Sequence, residues 1–256
     1  MTDSLSRVLV VVPTYNERES LPIALDRLAE HVPQADVLVV DDGSPDGTGE
    51  LAEKLAAADE GDRTIDVLHR AGKQGLGTAY VAGFGWALAR DYDVVVEMDA
   101  DGSHRAQDLP RILAALGDAD LALGSRWVRG GQVVNWPVSR LILSRGANVY
   151  TRIALGIPVK DATGGFRAYR SSLLRRFPLG EVASQGYCFQ VDMVWRAVKD
   201  GARVVEVPIT FVERELGASK MSRGIILEAL LSVTRWGIAE RSRRVAGAFR
   251  KSTARG

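Results

Sequence analysis

Two valine-rich runs, Val8–Val12 and Val37–Val40, flank a stretch with helical spacing, and this arrangement constrains the fold more than any other feature of the chain. Each run is apolar at every position, as expected of strands buried on both faces. Between them, Leu21, Ile23, Leu25 and Leu28 read as the apolar face of a helix. Strand, helix and strand make a βαβ unit, which places the two strands in a parallel sheet. Ligands of such sheets bind outside the carboxyl ends of the strands. Polar residues stand at both ends here: Pro13-Thr14-Tyr15-Asn16-Glu17 after the first run, and Asp41-Asp42-Gly43-Ser44-Pro45-Asp46-Gly47-Thr48 after the second.

A third apolar run, Asp93–Met98, ends in Asp99-Ala100-Asp101, and Gly102 breaks it. If the strand continued, side chains two apart would point the same way and bring two carboxylates to the lip of the sheet. Two anions held together repel unless a cation lies between them. A divalent metal with oxygen ligands meets that need and commonly serves a phosphorylated ligand. Leu121–Ser125 forms a further short strand that presents Arg126, whose guanidinium fork suits phosphate oxygens. Arg214 and Lys220 lie on a later loop that contains Gly and Ser.

These segments resemble family 2 glycosyltransferases of the GT-A fold, and within them dolichol/polyprenol-phosphate mannose synthases. The narrower likeness rests on Gly72-Lys73-Gln74-Gly75-Leu76-Gly77-Thr78-Ala79-Tyr80, Gly124-Ser125-Arg126, Ser144-Arg145-Gly146-Ala147-Asn148, Asp161-Ala162-Thr163-Gly164-Gly165-Phe166-Arg167 and Phe211-Val212-Glu213-Arg214-Glu215-Leu216-Gly217-Ala218-Ser219-Lys220. The resemblance implies an α/β fold with a Rossmann-like, mostly parallel central sheet flanked by helices. It implies inverting transfer of mannose from GDP-mannose to a polyprenyl monophosphate, aided by Mg²⁺ or Mn²⁺. It assigns the donor to Pro13, Tyr15, Glu17, Val40, Asp42, Asp99, Ala100, Asp101, Arg126, Arg214 and Lys220. Asp101 and Arg126 are its catalytic pair, Arg126, Arg140 and Arg145 its acceptor-phosphate groups, and Asp99, Asp101 and Ser103 its metal set. Asp99 is open between ribose, sugar and metal. Asp161 is read as a helix cap or a ligand of sugar hydroxyls, with the cap preferred. Trp136-Pro137 reads as a turn that carries an aromatic ring.

Composition agrees with a one-domain enzyme of 256 residues. A net charge of +1 gives no reason to expect nucleic acid as a partner. Cys188 is the only cysteine, so no intrachain disulfide forms and a reducing compartment is favoured. The expected location is cytoplasmic, peripheral on the cytoplasmic face of the membrane, without signal peptide or transmembrane span. The chain divides into a catalytic domain over 1–222 and a basic amphipathic helical tail over 223–256. In the tail, eight Lys and Arg face only Glu228 and Glu240, while residues such as Leu230, Val233, Trp236 and Ile238 supply an apolar side. Such a helix suits an anionic membrane surface; recruitment by a membrane protein is the alternative. A same-fold enzyme using a UDP-sugar and a non-catalytic nucleotide-sugar-binding module complete the functional readings.

Overall fold

The computed structural model describes residues 7–182, 187–214 and 230–242. In chain order the strands are β1 (Val8–Thr14), β2 (Asp36–Asp41), β3 (Ile65–His69), β4 (Val94–Glu97), β5 (Leu121–Ser125), β6 (Gln132–Val134), β7 (Arg167–Arg170), β8 (Val204–Pro208) and β9 (Thr210–Val212). The helices are α1 (Ser20–His31), α2 (Thr48–Ala58), α3 (Leu76–Leu88), α4 (Leu109–Ala115), α5 (Val138–Leu155), α6 (Ser171–Leu174) and α7 (Tyr187–Lys199). A further helical stretch covers 230–242. The main sheet runs β3-β2-β1-β4-β7-β5-β8, and β6 pairs with β9 separately. Only β7 runs against its neighbours, so β1, β2, β3, β4, β5 and β8 all deliver their carboxyl ends to one edge.

The valine runs are buried on both faces, as their uniform apolarity requires. Val8, Val10 and Val12 pack with Leu21, Leu25 and Leu28 of α1, while Leu9 and Val11 pack with Tyr80 and Phe84 of α3. Burying such a side chain stabilises by roughly 1.5–3 kcal/mol. Helix α3 lies so close to β1 that a Cβ at Gly83 would come within 2.5 Å of Val11 Cγ1. The α1 face differs by one member from its sequence reading. Leu21, Ala24, Leu25 and Leu28 are buried, whereas Ile23 is 39% exposed and lines a shallow groove with Ala100 and Asp101. Positions 21, 24, 25 and 28 follow the helical period, and 23 falls outside that stripe.

Pro13 sits inside β1 although β1 has neighbours on both sides. Its register partner is Val40. Val11 accepts a bond from Met98 N at 3.2 Å, so the backbone groups of alternate residues face β4. Position 13 points the same way, but β4 has ended at Glu97, so the missing N–H of proline breaks no ladder bond.

Residues 230–242 pack back onto the protein. Trp236 stacks on Trp195 of α7 with ring centroids 5.5 Å apart, Val233 is buried, and Tyr150 of α5 shares a 2.6 Å hydroxyl bond with Thr234. The rest of the predicted tail, including Arg223, lies outside the described residues, as does Lys220. No helix among the described residues is long and apolar enough to cross a membrane.

Candidate active site

Strand β4 stops at Glu97, so Asp99 and Asp101 stand in the turn beyond it and not on the strand itself. Separate contacts orient them. Asp99 accepts a 2.9 Å hydrogen bond from Tyr80 Oη, and its backbone N–H donates to His104 Nδ1 at 3.0 Å. Asp101 accepts from the backbone N–H of Ser103 at 3.0 Å and pairs with Arg214 Nη2 at 3.1 Å. The two carboxyls are consequently tuned apart. Burial, helped by the charge of Asp101, raises the pKa of Asp99. Burial also works to raise Asp101, but its Ser103 bond and the Arg214 guanidinium outweigh that and hold it below the ordinary range. Tyr80 is kept well above its usual value by burial and by Asp99, so it remains a neutral donor. His104, its pKa lowered by burial, is a neutral ring stacked on Phe166.

Strand β9 places Arg214 at this point. Phe211 bridges to His104, and Val212 N reaches Ser103 O at 3.3 Å, so the chain arrives beside Asp101 two residues later. Gly165 closes the other side: a Cβ there would lie 3.4 Å from His104 Cε1 and 3.9 Å from Asp99 Oδ2. Ser103, named as a metal ligand by resemblance, is buried and engaged with Asp101 and β9. Beneath the turn Glu97 is wholly buried, and burial drives its pKa up to about 7 against the pull of Arg167. Gln190 and Tyr169 flank its oxygens, yet among the described residues neither oxygen meets a partner in hydrogen-bond geometry.

The first two strand ends form an adjoining wall. Asp41 is consumed in building it: Thr14 Oγ1 and Ser44 Oγ donate to it at 2.9 and 2.6 Å. Asp42 pairs with Arg70 and accepts from the amides of Gln74 and Gly75 at 3.1 and 3.2 Å, which ties the 70–75 loop to the edge. Glu17 accepts from Ser20 Oγ at 2.7 Å, and Lys73 lies 4.4 Å from the centre of the Tyr15 ring. Pro13, Tyr15 and Glu17 are half-buried around this opening. Ala100 is nearly covered, and Val40, expected beside the nucleoside, has its side chain within the core.

Arg126 differs most from its sequence reading. Its Nε and Nη2 donate to Asp161 Oδ2 and Oδ1 at 2.7 and 2.6 Å, and Nη2 also reaches Thr163 Oγ1 at 2.9 Å. Both side chains are almost fully buried. Asp161 therefore caps no helix; its carboxylate holds the fork of Arg126. Burial works to raise Asp161, but Arg126 outweighs it and holds the carboxyl below its usual range. Trp127, Trp136 and Phe211 surround the guanidinium at 5.4–5.5 Å, so the Trp136-Pro137 turn does carry an aromatic ring. Arg140 pairs with Glu213 and lies over Trp136, and Arg145 lies 4.9 Å from the centre of the Trp127 ring.

Three contributors escaped the residue-level reading. Tyr80 lay inside a quoted motif without a role, and its position in the first turns of a helix after a Gly-rich loop was the available signal. Arg70 carries no pattern that distinguishes it from a surface arginine. Arg167 is completely buried and donates to the carbonyls of Gly164, Gln190 and Ala162 at 2.7, 2.7 and 2.8 Å, so it fixes the loop under Asp99.

The family model described as Glycosyl transferase family 2 matches residues 9–177, the span that builds this edge. The chain belongs to glycosyl transferase family 2. This family 2 protein is 58% identical over 235 residues to undecaprenyl-phosphate mannosyltransferase of Micrococcus luteus, covering 92% of this chain and 96% of that one. It is 56% identical over 245 residues to polyprenol monophosphomannose synthase of Mycolicibacterium smegmatis, with 95% and 92% covered. Among solved structures it resembles a mannosyltransferase of Pyrobaculum calidifontis in complex with GDP-Man and Mn²⁺, at a TM-score of 0.56 and 19% identity, with 97% of this chain and 79% of that one covered. It also resembles glucosyl-3-phosphoglycerate synthase of Mycobacterium tuberculosis in complex with Mn²⁺, UDP-glucose and phosphoglyceric acid, at a TM-score of 0.65 and 21% identity, with 90% and 80% covered. At those identities the two structures establish a shared GT-A-like fold.

Proposed function

We propose that this glycosyltransferase moves mannose from GDP-mannose to a polyprenyl monophosphate with inversion, giving polyprenyl-phosphate β-mannose for lipid-linked glycan synthesis. The observation that carries the reading is the Asp99–Asp101 turn with Arg214 drawn against it, joined to relatives of that activity at 56–58% identity along nearly their whole length. A phosphate monoester is mostly a dianion near neutral pH, so the acceptor is already a nucleophile and needs no strong base. The site's task is alignment and stabilisation of the departing diphosphate.

The carboxylates suit a hard divalent cation. They are oxygen donors at one edge, and the raised pKa of Asp99 marks two anions sharing one place. Mg²⁺ of this type is commonly held by one or two carboxylates plus substrate phosphates. Asp101 and Asp99 would hold Mg²⁺ or Mn²⁺, which supplies positive charge to offset that of the leaving diphosphate. Tyr80 fixes Asp99, Ser103 fixes Asp101, and Arg214 with Lys220 brings cationic charge to the diphosphate. Pro13, Tyr15, Glu17, Asp42 and Ala100 bound the nucleoside side. Arg126, through its pair with Asp161, holds the aromatic wall in place, and Arg140 and Arg145 bring positive charge from α5 toward the lipid phosphate. The acceptor keeps the enzyme at a membrane, and we place it peripherally on the cytoplasmic face.

A donor panel tests this. Purified chain with Mn²⁺ and polyprenyl phosphate in detergent is expected to form mannolipid from GDP-mannose and little product from GDP-glucose or UDP-glucose. Equal transfer from UDP-glucose contradicts the donor assignment. Nucleotide binding without transfer from any donor contradicts an enzymatic role.

A further inference from the structure

Helix α5 is amphipathic in the wrong direction for a helix that merely covers a sheet. Its inner face is Asn148, Thr151 and Leu155, all buried. Its outer stripe is Val138, Ile142, Val149 and Ile153, which are 72%, 64%, 48% and 64% exposed. The spacing of four, seven and four places these on one side of the helix. Helix 230–242 extends the apolar surface with Leu231 and Ile238, 56% and 61% exposed. Exposed large apolar residues elsewhere on the described surface are few, Ile23 and Leu76 among them, so this is a concentrated patch.

Beside the stripe lies a cleft of about 220 Å³ lined by Trp127, Arg145, Asn148, Val149, Arg152 and Lys160. Three cations and no carboxylate line it. Among the described residues, Arg145, Arg152 and Lys160 form no salt bridge, whereas the nearby Arg126 and Arg140 do. Val149 belongs to both cleft and stripe. A cationic recess opening onto an apolar helix face matches the two chemistries of an anionic lipid, headgroup phosphate and acyl chain. The Trp127 ring under Arg145 adds an amphipathic group of the kind favoured at that boundary.

We propose that this cleft seats the phosphate of an anionic phospholipid headgroup while the outer stripe of α5 enters the acyl boundary of the bilayer. The site is separate from the reaction edge and holds whichever sugar that edge transfers. It makes α5, and not the basic tail alone, the element that meets the membrane.

Vesicle flotation of the full chain tests it, with phosphatidylcholine vesicles made with and without phosphatidylglycerol. The parent chain is expected to float with phosphatidylglycerol vesicles at low salt and poorly with phosphatidylcholine alone. Arg152→Glu/Lys160→Glu is expected to weaken partition about thirtyfold or more, the effect of two basic residues at an anionic surface. Ile142→Ser/Ile153→Ser is expected to weaken it as well. All four positions are exposed, so an unchanged melting temperature checks the fold. Transfer to acceptor solubilised in detergent is expected to stay at the parent level in the Arg152/Lys160 variant. Parent-like flotation of either double variant, or failure of the parent to float, overturns the proposal. So does a fall in transfer in detergent, which would assign the cleft to the acceptor. A melting-temperature rise with inorganic phosphate or glycerol phosphate also overturns it, since that would mark a site for free phosphate.

Discussion

Arg126 shows what a motif can and cannot say about a single residue. Its place after β5 and its guanidinium were legible, but its partner was not, because Asp161 lies 35 residues later and only the folded chain brings the two together. Removing one member of a buried pair leaves the other charge unpaired, which costs roughly 3–5 kcal/mol. Arg126→Ala is therefore expected to lower stability by about that amount in urea unfolding, and Arg126→Lys by less but still measurably, since lysine loses the fork. Asp161 adds a pH signature. Its folded pKa is lowered, so its contribution is present above the ordinary aspartate value near 3.9 and is lost as pH falls through the lower folded value. Acid unfolding of the parent is expected to steepen below about pH 4, and Asp161→Asn is expected to remove that component. Tyr80→Phe makes a contrasting case. It keeps the ring stacked on Phe189, 6.0 Å away, and removes only the donor to Asp99. Stability is expected to fall by about 1 kcal/mol or less, while kcat/KM falls about tenfold through loss of carboxylate orientation. Equal losses in both would make Tyr80 a packing residue only.

At the scale of elements, the sheet was the most legible part because its signal is composition. Uniform valine and leucine runs announced strands covered on both faces, and β1, β2 and β5 fall where those runs lie. The ends were harder. The third run continues apolar through Met98, yet pairing stops at Glu97, because the next residues turn to meet Tyr80, His104 and Ser103. No local pattern encodes those contacts. The late helix was legible as amphipathic, but its seat on α7 was not. Trp236→Ala removes the stack on Trp195 and is expected to speed amide exchange across 230–242 by at least about tenfold. Exchange in β1 and β2 is expected to stay unchanged. A uniform rise over the whole chain would mean that this helix unfolds only with the core. The same packing makes truncation at residue 223 a poor probe of membrane binding, since it would bare the Trp195 face.

At the scale of the molecule, parallel topology joins residues from four distant segments into one chemical edge: Tyr15 and Glu17, Asp42, Asp99 with Asp101, and Arg214. That convergence was deducible from strand order alone, since every parallel strand presents its carboxyl end on the same side. The tuning within the edge was not, since it depends on burial and on which cation faces which carboxylate. The central claim is that Asp101 anchors the cationic charge that lets a lipid phosphate displace the nucleoside diphosphate. The most direct measurement is transfer of labelled mannose from GDP-mannose to polyprenyl phosphate by the parent and by Asp101→Ala, each assayed with Mn²⁺ and with excess chelator. Asp101 lies at the edge of the sheet outside the core clusters, so the variant is expected to keep its melting temperature within a few degrees, about 1 kcal/mol of stability. The account predicts robust transfer by the parent with Mn²⁺, little with chelator, and a loss of at least about a thousandfold in the variant under either condition. Near-parental turnover by Asp101→Ala, or full parental activity in chelator, would contradict it.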